Sequence, residues 1–266
     1  MTTGAICVDR HACLHHACTL ALVPAAQSAH TYLNVHKEPS MAEQPPVVIE
    51  PDAAPTAAII MLHGLGASGH DFESLPAVLS LPASLGVRFI APHAPTLPVT
   101  VNNGMEMPAW YDITSMALNR EIDEVQLRDS ARYVQRLIDE QIASGIDSRR
   151  ILVAGFSQGG AVAYEAALTY PEPLAGVLAL STYFATADTI EPSPVNRSLT
   201  IEIHHGSEDP VVDERLGQRA AERLEAMGYA VNYRSFPMAH TLSQAQLPAI
   251  REWLIERLSK DEAPNG

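Results

Sequence analysis

Beyond Met41, short apolar runs alternate with longer stretches of helical periodicity, and this alternation limits the folds open to the chain. The apolar runs predict strands at Ala58–Leu62, Val87–Ala91, Ile151–Ala154, Val177–Leu180, Leu199–His204 and Val231–Phe236. The stretches between them predict helices near Asp71–Ser80, Glu121–Ala143, Gln158–Thr169, Glu214–Met227 and Ser243–Leu258. Strands that alternate with helices need crossover connections, which produce a buried and mostly parallel sheet. The sequence therefore predicts a single α/β domain.

Composition narrows the classes of function. The 266 residues carry a formal net charge of −14, so nucleic acids and anionic membrane surfaces are poor partners. The chain has no apolar run of roughly 18 residues, and no membrane span is expected. All three cysteines lie within residues 1–18, so the rest of the chain has neither a disulfide framework nor a cysteine nucleophile.

Residues 1–40 differ in composition from the rest of the chain. Their mixture of cysteine and histidine contains no paired C-x-x-C, which argues against a metal site. A signal peptide is a stronger alternative, because one arginine precedes a short apolar run and an alanine-rich stretch. A third alternative is that translation starts at Met41. We expect an unstructured or artefactual extension over residues 1–40, a folded domain over residues 45–260 and a cytoplasmic location.

A glycine motif follows the first predicted strand. Gly64, Gly66 and Gly69 fit G-x-G-x-x-G, the dinucleotide-binding fingerprint. A dinucleotide site also needs an acidic residue about 20 positions further on to hold the ribose. Between Glu73 and Glu106 the chain has no aspartate or glutamate. We therefore reject a dinucleotide site, and the sequence predicts no cofactor and no metal ion.

A second glycine motif follows the strand Ile151–Ala154. Residues 155–159 read Gly-Phe-Ser-Gln-Gly, which matches G-x-S-x-G between a strand and a helix. In that motif the serine stands on a sharp turn, and the flanking glycines remove side chains that would clash there. The context predicts that Ser157 is an exposed nucleophile rather than an incidental turn residue.

A serine nucleophile needs a histidine base and an orienting carboxylate, which follow an elbow serine in the order acid, then histidine. The loop after the strand Leu199–His204 is rich in acidic residues, and His240 is the only one of the eleven histidines beyond it. Asp209 is the candidate acid because it directly precedes a proline at the end of the strand. Glu208 and Asp213 remain alternatives.

Acyl transfer also needs two main-chain N–H donors for the developing oxyanion, each worth about 3 kcal/mol. One donor comes from the residue after the nucleophile, Gln158, and the other from the loop after an earlier strand, where His-Gly sequences are typical. His63 and Gly64 occupy that position, so Leu65 N–H is the second candidate. The glycines of the first motif then let this loop fold tightly beside Ser157.

Residues 92–118 form a long insertion between a strand and a helix, which we expect to be irregular and functional. Apolar residues in and near it are candidates for an acyl groove, although ordinary packing explains each of them equally well. The candidates are Leu65, Met105, Met107, Trp110 and Phe184. Only residues 181–198 separate the fourth predicted strand from the fifth, which the loop with Asp209 follows, and they show little helical periodicity. No separate lid domain is therefore expected.

Six motifs, in this order and spacing, are similar to those of the phospholipase/carboxylesterase family of α/β-hydrolases: LHGLGASGHDF, PHAP, MPAWYDI, GFSQGG, HGSEDPVV and MAH. The resemblance covers residues 45–260, and LALSTYF favours the bacterial carboxylesterase branch over the acyl-protein thioesterases. It implies an α/β-hydrolase fold, with a mostly parallel central sheet and helices on both faces. It also implies Ser157 as nucleophile, His240 as base and Asp209 as its orienter. Leu65 and Gln158 are then the oxyanion donors.

The resulting functional hypothesis is a serine carboxylesterase that hydrolyses short- to medium-chain acyl esters or thioesters through an acyl-enzyme intermediate. Its partners are then small acyl esters or thioesters, with acylated proteins and lysophospholipids as further candidates. The oligomeric state, monomer or homodimer, is left open. A lysophospholipase or an acyltransferase with the same triad is an alternative, as is a catalytically silent α/β-hydrolase that binds a ligand or protein.

Overall fold

The computed structural model of the chain describes residues 44–116 and 120–259. In chain order its strands are β1 (Val47–Ile49), β2 (Ala57–Leu62), β3 (Val87–Ala91), β4 (Thr96–Val99), β5 (Met105–Pro108), β6 (Ile113–Ser115), β7 (Glu121–Ile122), β8 (Ile151–Phe156), β9 (Gly176–Leu180), β10 (Thr200–Gly206) and β11 (Ala230–Phe236). Its α-helices are α1 (Leu75–Leu79), α2 (Glu124–Ala143), α3 (Gln158–Leu168), α4 (Glu214–Ala226) and α5 (Leu247–Leu258).

The main sheet has seven strands in the order β1-β3-β2-β8-β9-β10-β11. Within it only β1 runs antiparallel to its neighbour, and the other six strands are parallel. All six predicted strands are present, with ends that differ from the predicted ones by at most two residues. The sequence pattern missed β1, because a strand of three residues is too short to show a period.

The helices differ from the predicted ones mainly at their first residues. The helix predicted from residue 121 begins at Glu124, because Glu121–Ile122 pair with β6. Asp123 then caps α2, and its side chain accepts a hydrogen bond from Gln126 N–H at 3.0 Å. The helix predicted at residues 71–80 is divided into a 3₁₀ turn at Gly69–Phe72 and α1, which has a proline in its first turn. The last helix, α5, starts at residue 247 rather than 243.

Helices pack on both faces of the main sheet because alternate side chains of a strand point to opposite faces. Ile60 and Leu62 of β2 belong to a core shared with α2, α3 and α4, which includes Leu127. Ile59 and Met61 of the same strand belong to a second core, shared with α1 and α5. The two cores cover the sheet and leave the carboxyl ends of the parallel strands as the edge where ligands bind.

The insertion at residues 92–118, expected to be irregular, instead contains most of two hairpins. β4 pairs with β5, and β6 pairs with β7, both antiparallel. These strands are two to four residues long, so no apolar alternation marks them in the sequence. Residues 181–198 contain a 3₁₀ turn at Pro194–Asn196 and no longer element, as expected of a fold without a separate lid domain.

Among residues 44–116 and 120–259, no helix has both the length and the apolar character that a membrane crossing requires. All of these residues belong to one compact unit. The extension predicted over residues 1–40, with its cysteines, lies outside the described residues. The signal peptide, metal site and later translation start considered for it therefore stay untested.

Candidate active site

Ser157 lies on a tight turn between β8 and α3. Its φ of 53° and ψ of −121° are rarely adopted by residues with a side chain, at a cost of about 1–3 kcal/mol. The neighbouring glycines permit the turn, because a Cβ on Gly155 would lie 2.3 Å from the carbonyl oxygen of Gly159. A Cβ on Gly159 would lie 2.4 Å from the carbonyl oxygen of Leu62 on β2. Close backbone packing around the serine therefore requires the glycines of G-x-S-x-G.

The structure brings Ser157, His240 and Asp209 together, although they are far apart in sequence. His240 Nε2 lies 3.0 Å from Ser157 Oγ, and His240 Nδ1 lies 2.7 Å from Asp209 Oδ2. The side chain of Asp209 is fully buried, whereas that of His240 is 16% exposed. In this arrangement Nδ1–H donates to the carboxylate, and Nε2 is left to accept the serine proton. The three predicted residues form one continuous hydrogen-bonded chain.

The Asp209 carboxylate is held by its own loop as well as by His240. Its Oδ1 accepts hydrogen bonds from the N–H groups of Val211 and Val212, at 2.8 Å each. Burial by itself raises the pKa of Asp209, but the bonds from His240 and from these N–H groups outweigh burial and lower it. Asp209 is therefore ionised near neutral pH and acts as a hydrogen-bond acceptor.

The two alternative acids are occupied elsewhere or exposed. Asp213 caps α4 by accepting a hydrogen bond from Arg215 N–H at 3.0 Å, and it also pairs with the Arg215 guanidinium at 2.7 Å. Glu208 is exposed to solvent. Of the three candidates in this loop, Asp209 is the one that contacts His240.

The loop after β2, residues 63–69, passes beside the nucleophile and is here named the oxyanion loop. A Cβ on Gly64 would lie 3.3 Å from Ser157 Cβ, so the backbone approaches the serine closely. Gly66 has a φ of +74°, which favours glycine, and a Cβ on Gly69 would lie 2.2 Å from a main-chain oxygen of β3. These constraints explain the G-x-G-x-x-G pattern without a dinucleotide.

The main-chain N–H groups of Leu65 and Gln158 are the candidate oxyanion donors. Gln158 is the first residue of α3, where N–H groups have no partner within the helix. Among the described residues, neither N–H donates to a protein acceptor. Both residues line the cavity that contains Ser157. The two groups are thus available to negative charge that develops there, which a helix N-terminus also favours.

Buried hydrogen bonds connect these two donors through side chains. The side-chain oxygen of Gln158 accepts from Trp110 N–H at 2.8 Å, and the Trp110 indole N–H donates to the carbonyl oxygen of His63 at 2.8 Å. His63 Nδ1 in turn lies 2.8 Å from the carbonyl oxygen of Gly64. Neither Trp110 nor His63 is more than 1% exposed. Sequence reasoning missed this role for Trp110, because the motifs do not show which distant backbone groups its indole reaches.

Residues 43–257 match the phospholipase/carboxylesterase family. The chain belongs to this family. Acyl-protein thioesterase 1 of Neurospora crassa is 40% identical over 232 residues, which cover 83% of this chain and 95% of that protein. Acyl-protein thioesterase 1 of Cryptococcus neoformans is 38% identical over 230 residues, which cover 79% of this chain and 96% of that protein.

Solved structures of similar proteins support the same assignment. SOBER1 of Arabidopsis thaliana is 29% identical with a TM-score of 0.72, and the match covers 76% of this chain and 99% of SOBER1. Acyl-protein thioesterase 2 of Zea mays is 28% identical with a TM-score of 0.72, covering 80% of this chain and 99% of that one. These matches confirm the predicted family, the α/β-hydrolase fold and the prediction of a serine hydrolase of the esterase and thioesterase class.

In this member of the phospholipase/carboxylesterase family, Ser157 opens into a cavity of about 440 Å³. Most of its wall is apolar, and the side chains that form it include Leu65, Phe72, Ile113, Met116, Phe156 and Leu242. Arg120 adds a positive charge to the same wall. Of the five predicted groove residues, Leu65 lines this cavity, and the other four lie elsewhere.

The positions of those four residues correct the groove prediction. Met105 lies on the β4–β5 hairpin with its side chain in solvent, 64% exposed, and the sulfur of Met107 accepts a hydrogen bond from an asparagine of the same hairpin. Trp110 is buried between the two oxyanion donors. Phe184 packs on Tyr164, with ring centroids 5.2 Å apart, and lines a neighbouring cavity. Met105 and Met107 are held in the β4–β5 pairing, and neither they nor Trp110 and Phe184 line the cavity at Ser157.

Proposed function

We propose that Ser157, His240 and Asp209 hydrolyse acyl esters and thioesters through an acyl-enzyme intermediate. The observation that carries the proposal is the hydrogen-bonded chain at the elbow, with 3.0 Å from Ser157 Oγ to His240 Nε2 and 2.7 Å from His240 Nδ1 to Asp209 Oδ2. A serine hydroxyl becomes an effective nucleophile near neutral pH only when such a base takes its proton.

The first half-reaction acylates the serine. His240 Nε2 accepts the proton of Ser157 Oγ while Oγ attacks the carbonyl carbon of the substrate, and ionised Asp209 stabilises the imidazolium that forms. The N–H groups of Leu65 and Gln158 donate to the oxyanion of the tetrahedral intermediate. As that intermediate collapses, His240 returns its proton to the leaving oxygen or sulfur. The acyl group stays bonded to Ser157.

The second half-reaction uses water. His240 takes a proton from a water molecule, whose oxygen attacks the acyl carbon and forms a second tetrahedral intermediate. Collapse breaks the bond to Ser157 Oγ, which regains its proton from His240. The products are a carboxylic acid and the free enzyme.

The size and lining of the cavity favour acyl groups of short to medium length. Each buried methylene contributes about 0.8 kcal/mol, and this gain ends when the acyl chain fills the space of about 440 Å³. The relatives named acyl-protein thioesterases support S-acylated proteins as substrates beside small esters. A cytoplasmic location is part of the proposal.

Replacement of the nucleophile tests the proposal. Ser157→Ala should abolish hydrolysis of oxygen esters and thioesters while circular dichroism shows an intact fold. Ser181→Ala is a matched control, because Ser181 is also a buried serine at positive φ (47°) and its hydroxyl has no partner among the described residues. It should retain most activity.

A fluorophosphonate should label Ser157 in the wild-type protein, and mass spectrometry identifies the labelled residue. Across a series of acyl lengths, kcat/KM should rise, reach a maximum at short to medium length and then fall. Most activity retained by a folded Ser157→Ala variant would refute the proposed nucleophile. Efficiency that rises steadily to long-chain triglycerides would refute the proposed acyl range.

A further inference from the structure

We infer that Trp110 and His63 are positioning residues that hold the two oxyanion donors at a set distance and orientation. The inference rests on the proposed function and adds to it a cause for the geometry of the oxyanion hole. The donors belong to different parts of the fold: Leu65 follows β2, and Gln158 begins α3. Their strands, β2 and β8, are neighbours in the sheet, and side-chain hydrogen bonds then set how the two N–H groups are directed toward one oxygen atom.

The connection starts at Gln158, whose main-chain N–H is one of the donors. Gln158 is 1% exposed, and both polar atoms of its side-chain amide form hydrogen bonds. Oε1 accepts from Trp110 N–H at 2.8 Å, and Nε2 donates to the carbonyl oxygen of Tyr111 at 2.6 Å. The start of α3 is therefore bonded to the backbone of residues 110–111. No polar atom of this amide is left to solvent or substrate.

Trp110 carries the connection to the other donor. Its indole N–H donates to the carbonyl oxygen of His63 at 2.8 Å, and its ring lies 5.1 Å from the imidazole of His63 between centroids. An indole has one N–H and no acceptor, so this bond satisfies its full hydrogen-bonding capacity. Because Trp110 is 1% exposed, loss of the bond would leave a buried carbonyl group without this partner.

His63 completes the connection by fixing the peptide that contains the donor. The N–H of Ala94 donates to His63 Nε2 at 3.0 Å, so Nδ1 carries the hydrogen and donates to the carbonyl oxygen of Gly64 at 2.8 Å. That carbonyl and Leu65 N–H belong to one planar peptide unit and point in opposite directions. A hydrogen bond that fixes the carbonyl therefore also fixes the direction of the N–H and polarises it.

Burial lowers the pKa of His63, and the hydrogen bond to Gly64 offsets this only in part. The imidazole is neutral at the pH of catalysis, as the bond from Ala94 requires. The connection from Gln158 to Leu65 thus contains no ionised side chain. Its function is alignment, so its loss should weaken binding of the oxyanion and leave binding of the ground-state substrate nearly unchanged.

Two tryptophan variants test the inference. Trp110→Phe removes the indole N–H and should lower kcat by about 10- to 100-fold, somewhat less than full removal of an oxyanion donor, while KM changes by less than about threefold. Trp253→Phe is the matched control, since Trp253 is also buried (5% exposed) and its indole N–H has no partner among the described residues. It belongs to the core on the other face of the sheet and should leave kcat nearly unchanged.

Inhibition by a transition-state analogue distinguishes a loss of donor alignment from a general loss of structure. A trifluoromethyl ketone adds to Ser157 and forms a tetrahedral oxyanion, so its inhibition constant for Trp110→Phe should rise by the same factor by which kcat/KM falls. Two variants of His63 give a second readout. In His63→Asn an amide N–H stands near Nδ1 and can bond Gly64, whereas His63→Gln keeps only an acceptor near Nε2. The asparagine variant should retain the higher kcat.

Equal losses of kcat in Trp110→Phe and Trp253→Phe would overturn the inference. A glutamine variant of His63 more active than the asparagine variant would do the same, and so would an unchanged inhibition constant for the ketone. Activity retained by Ser157→Ala would instead overturn the proposed function. The two failures are thus distinguishable in the same set of assays.

Discussion

The oxyanion loop and the loop of residues 206–213, here named the acid loop, both deliver groups to the nucleophile but are held in different ways. Glycine contacts and neutral hydrogen bonds from Trp110 and His63 fix the oxyanion loop. A buried carboxylate fixes the acid loop, because Asp209 accepts two main-chain N–H groups of that loop as well as His240. Replacement of Asp209 therefore removes the charge that faces His240, whereas loss of the bonds from Trp110 or His63 only disturbs the alignment of the oxyanion loop.

The largest expected effect comes from removing that charge. Asp209→Asn should reduce kcat by about 10⁴-fold, as in a related triad, because an amide favours the wrong imidazole tautomer. Steady-state kinetics with a soluble ester measures the loss. Asp213→Asn is the matched control, since Asp213 lies in the same loop but bonds Arg215 rather than His240. It should change kcat little.

If Asp213→Asn proved more damaging than Asp209→Asn, the acid would be misassigned. If Asp209→Asn reduced kcat no more than Trp110→Phe, the proposed difference between the two loops would be wrong. The charge of Asp209 and the alignment by Trp110 would then contribute equally to kcat.

The same contrast separates what the sequence predicts from what it does not. The triad candidates follow the ends of strands β8, β10 and β11. Motif, chain order and strand-end position select Ser157 and His240 and narrow the acid to Asp209 and its two neighbours in the same loop. The cavity wall depends instead on two hairpins whose strands are two to four residues long. Their pairing decides which side chains face the nucleophile, and pairing between short strands leaves no period in the sequence.

Trp110 shows the limit most clearly. Its apolar character and its place in the insertion favoured a groove residue, and its aromatic ring would suit one. Its actual contacts are with Gln158, 48 positions away, and with His63, 47 positions away in the other direction. Long-range hydrogen bonds of this kind follow from the assembled fold, so no local pattern predicts them.

A smaller effect is expected from pH, and it involves a neutral histidine beside each loop. Burial lowers the pKa of His63 and that of His205, whose Nε2–H donates to the carbonyl oxygen of Val212 at 2.8 Å. In the unfolded chain both pKa values are near 6.5. Below that pH the unfolded chain binds more protons than the native one, so stability should fall as pH decreases from about 6.5 toward the lowered values.

Urea unfolding at a series of pH values measures this dependence. His205→Gln is the informative variant, because its amide N–H can keep the bond to Val212 but cannot titrate. As pH decreases from about 6.5, its free energy of unfolding should fall less steeply than that of the wild type. The lowered pKa of Asp209 adds a separate loss only below about pH 4, where an unfolded aspartate protonates. A wild-type stability that stays level from pH 8 to pH 5 would contradict the neutral-histidine picture.

The smallest expected effect concerns a hydrogen bond that Arg120 donates to the outer side of the acid loop. Arg120 Nη2 donates to the carbonyl oxygen of Val211 at 2.5 Å, and its guanidinium lies 4.8 Å from the ring centroid of Tyr183. Arg120→Gln should lower the free energy of unfolding by about 1 kcal/mol, which shifts Tm by about 2–4 °C in a domain of this size. It should lower kcat by less than about tenfold, because Asp209 keeps its own bonds to the loop.

Arg223→Gln is the matched control for Arg120→Gln, since it removes the same charge where Arg223 bonds the carbonyl oxygen of Ala187. Tm from thermal unfolding and kcat from steady-state kinetics then compare the loss of the two arginine hydrogen bonds. If Arg223→Gln lost as much kcat as Arg120→Gln, the change in net charge, rather than the lost hydrogen bond to Val211, would be responsible for the loss. A loss in Arg120→Gln as large as that in Asp209→Asn would mean that the acid loop is placed from outside, by the arginine. The two loops would then differ in where their support lies, inside the fold for the oxyanion loop and outside it for the acid loop, and not in charge.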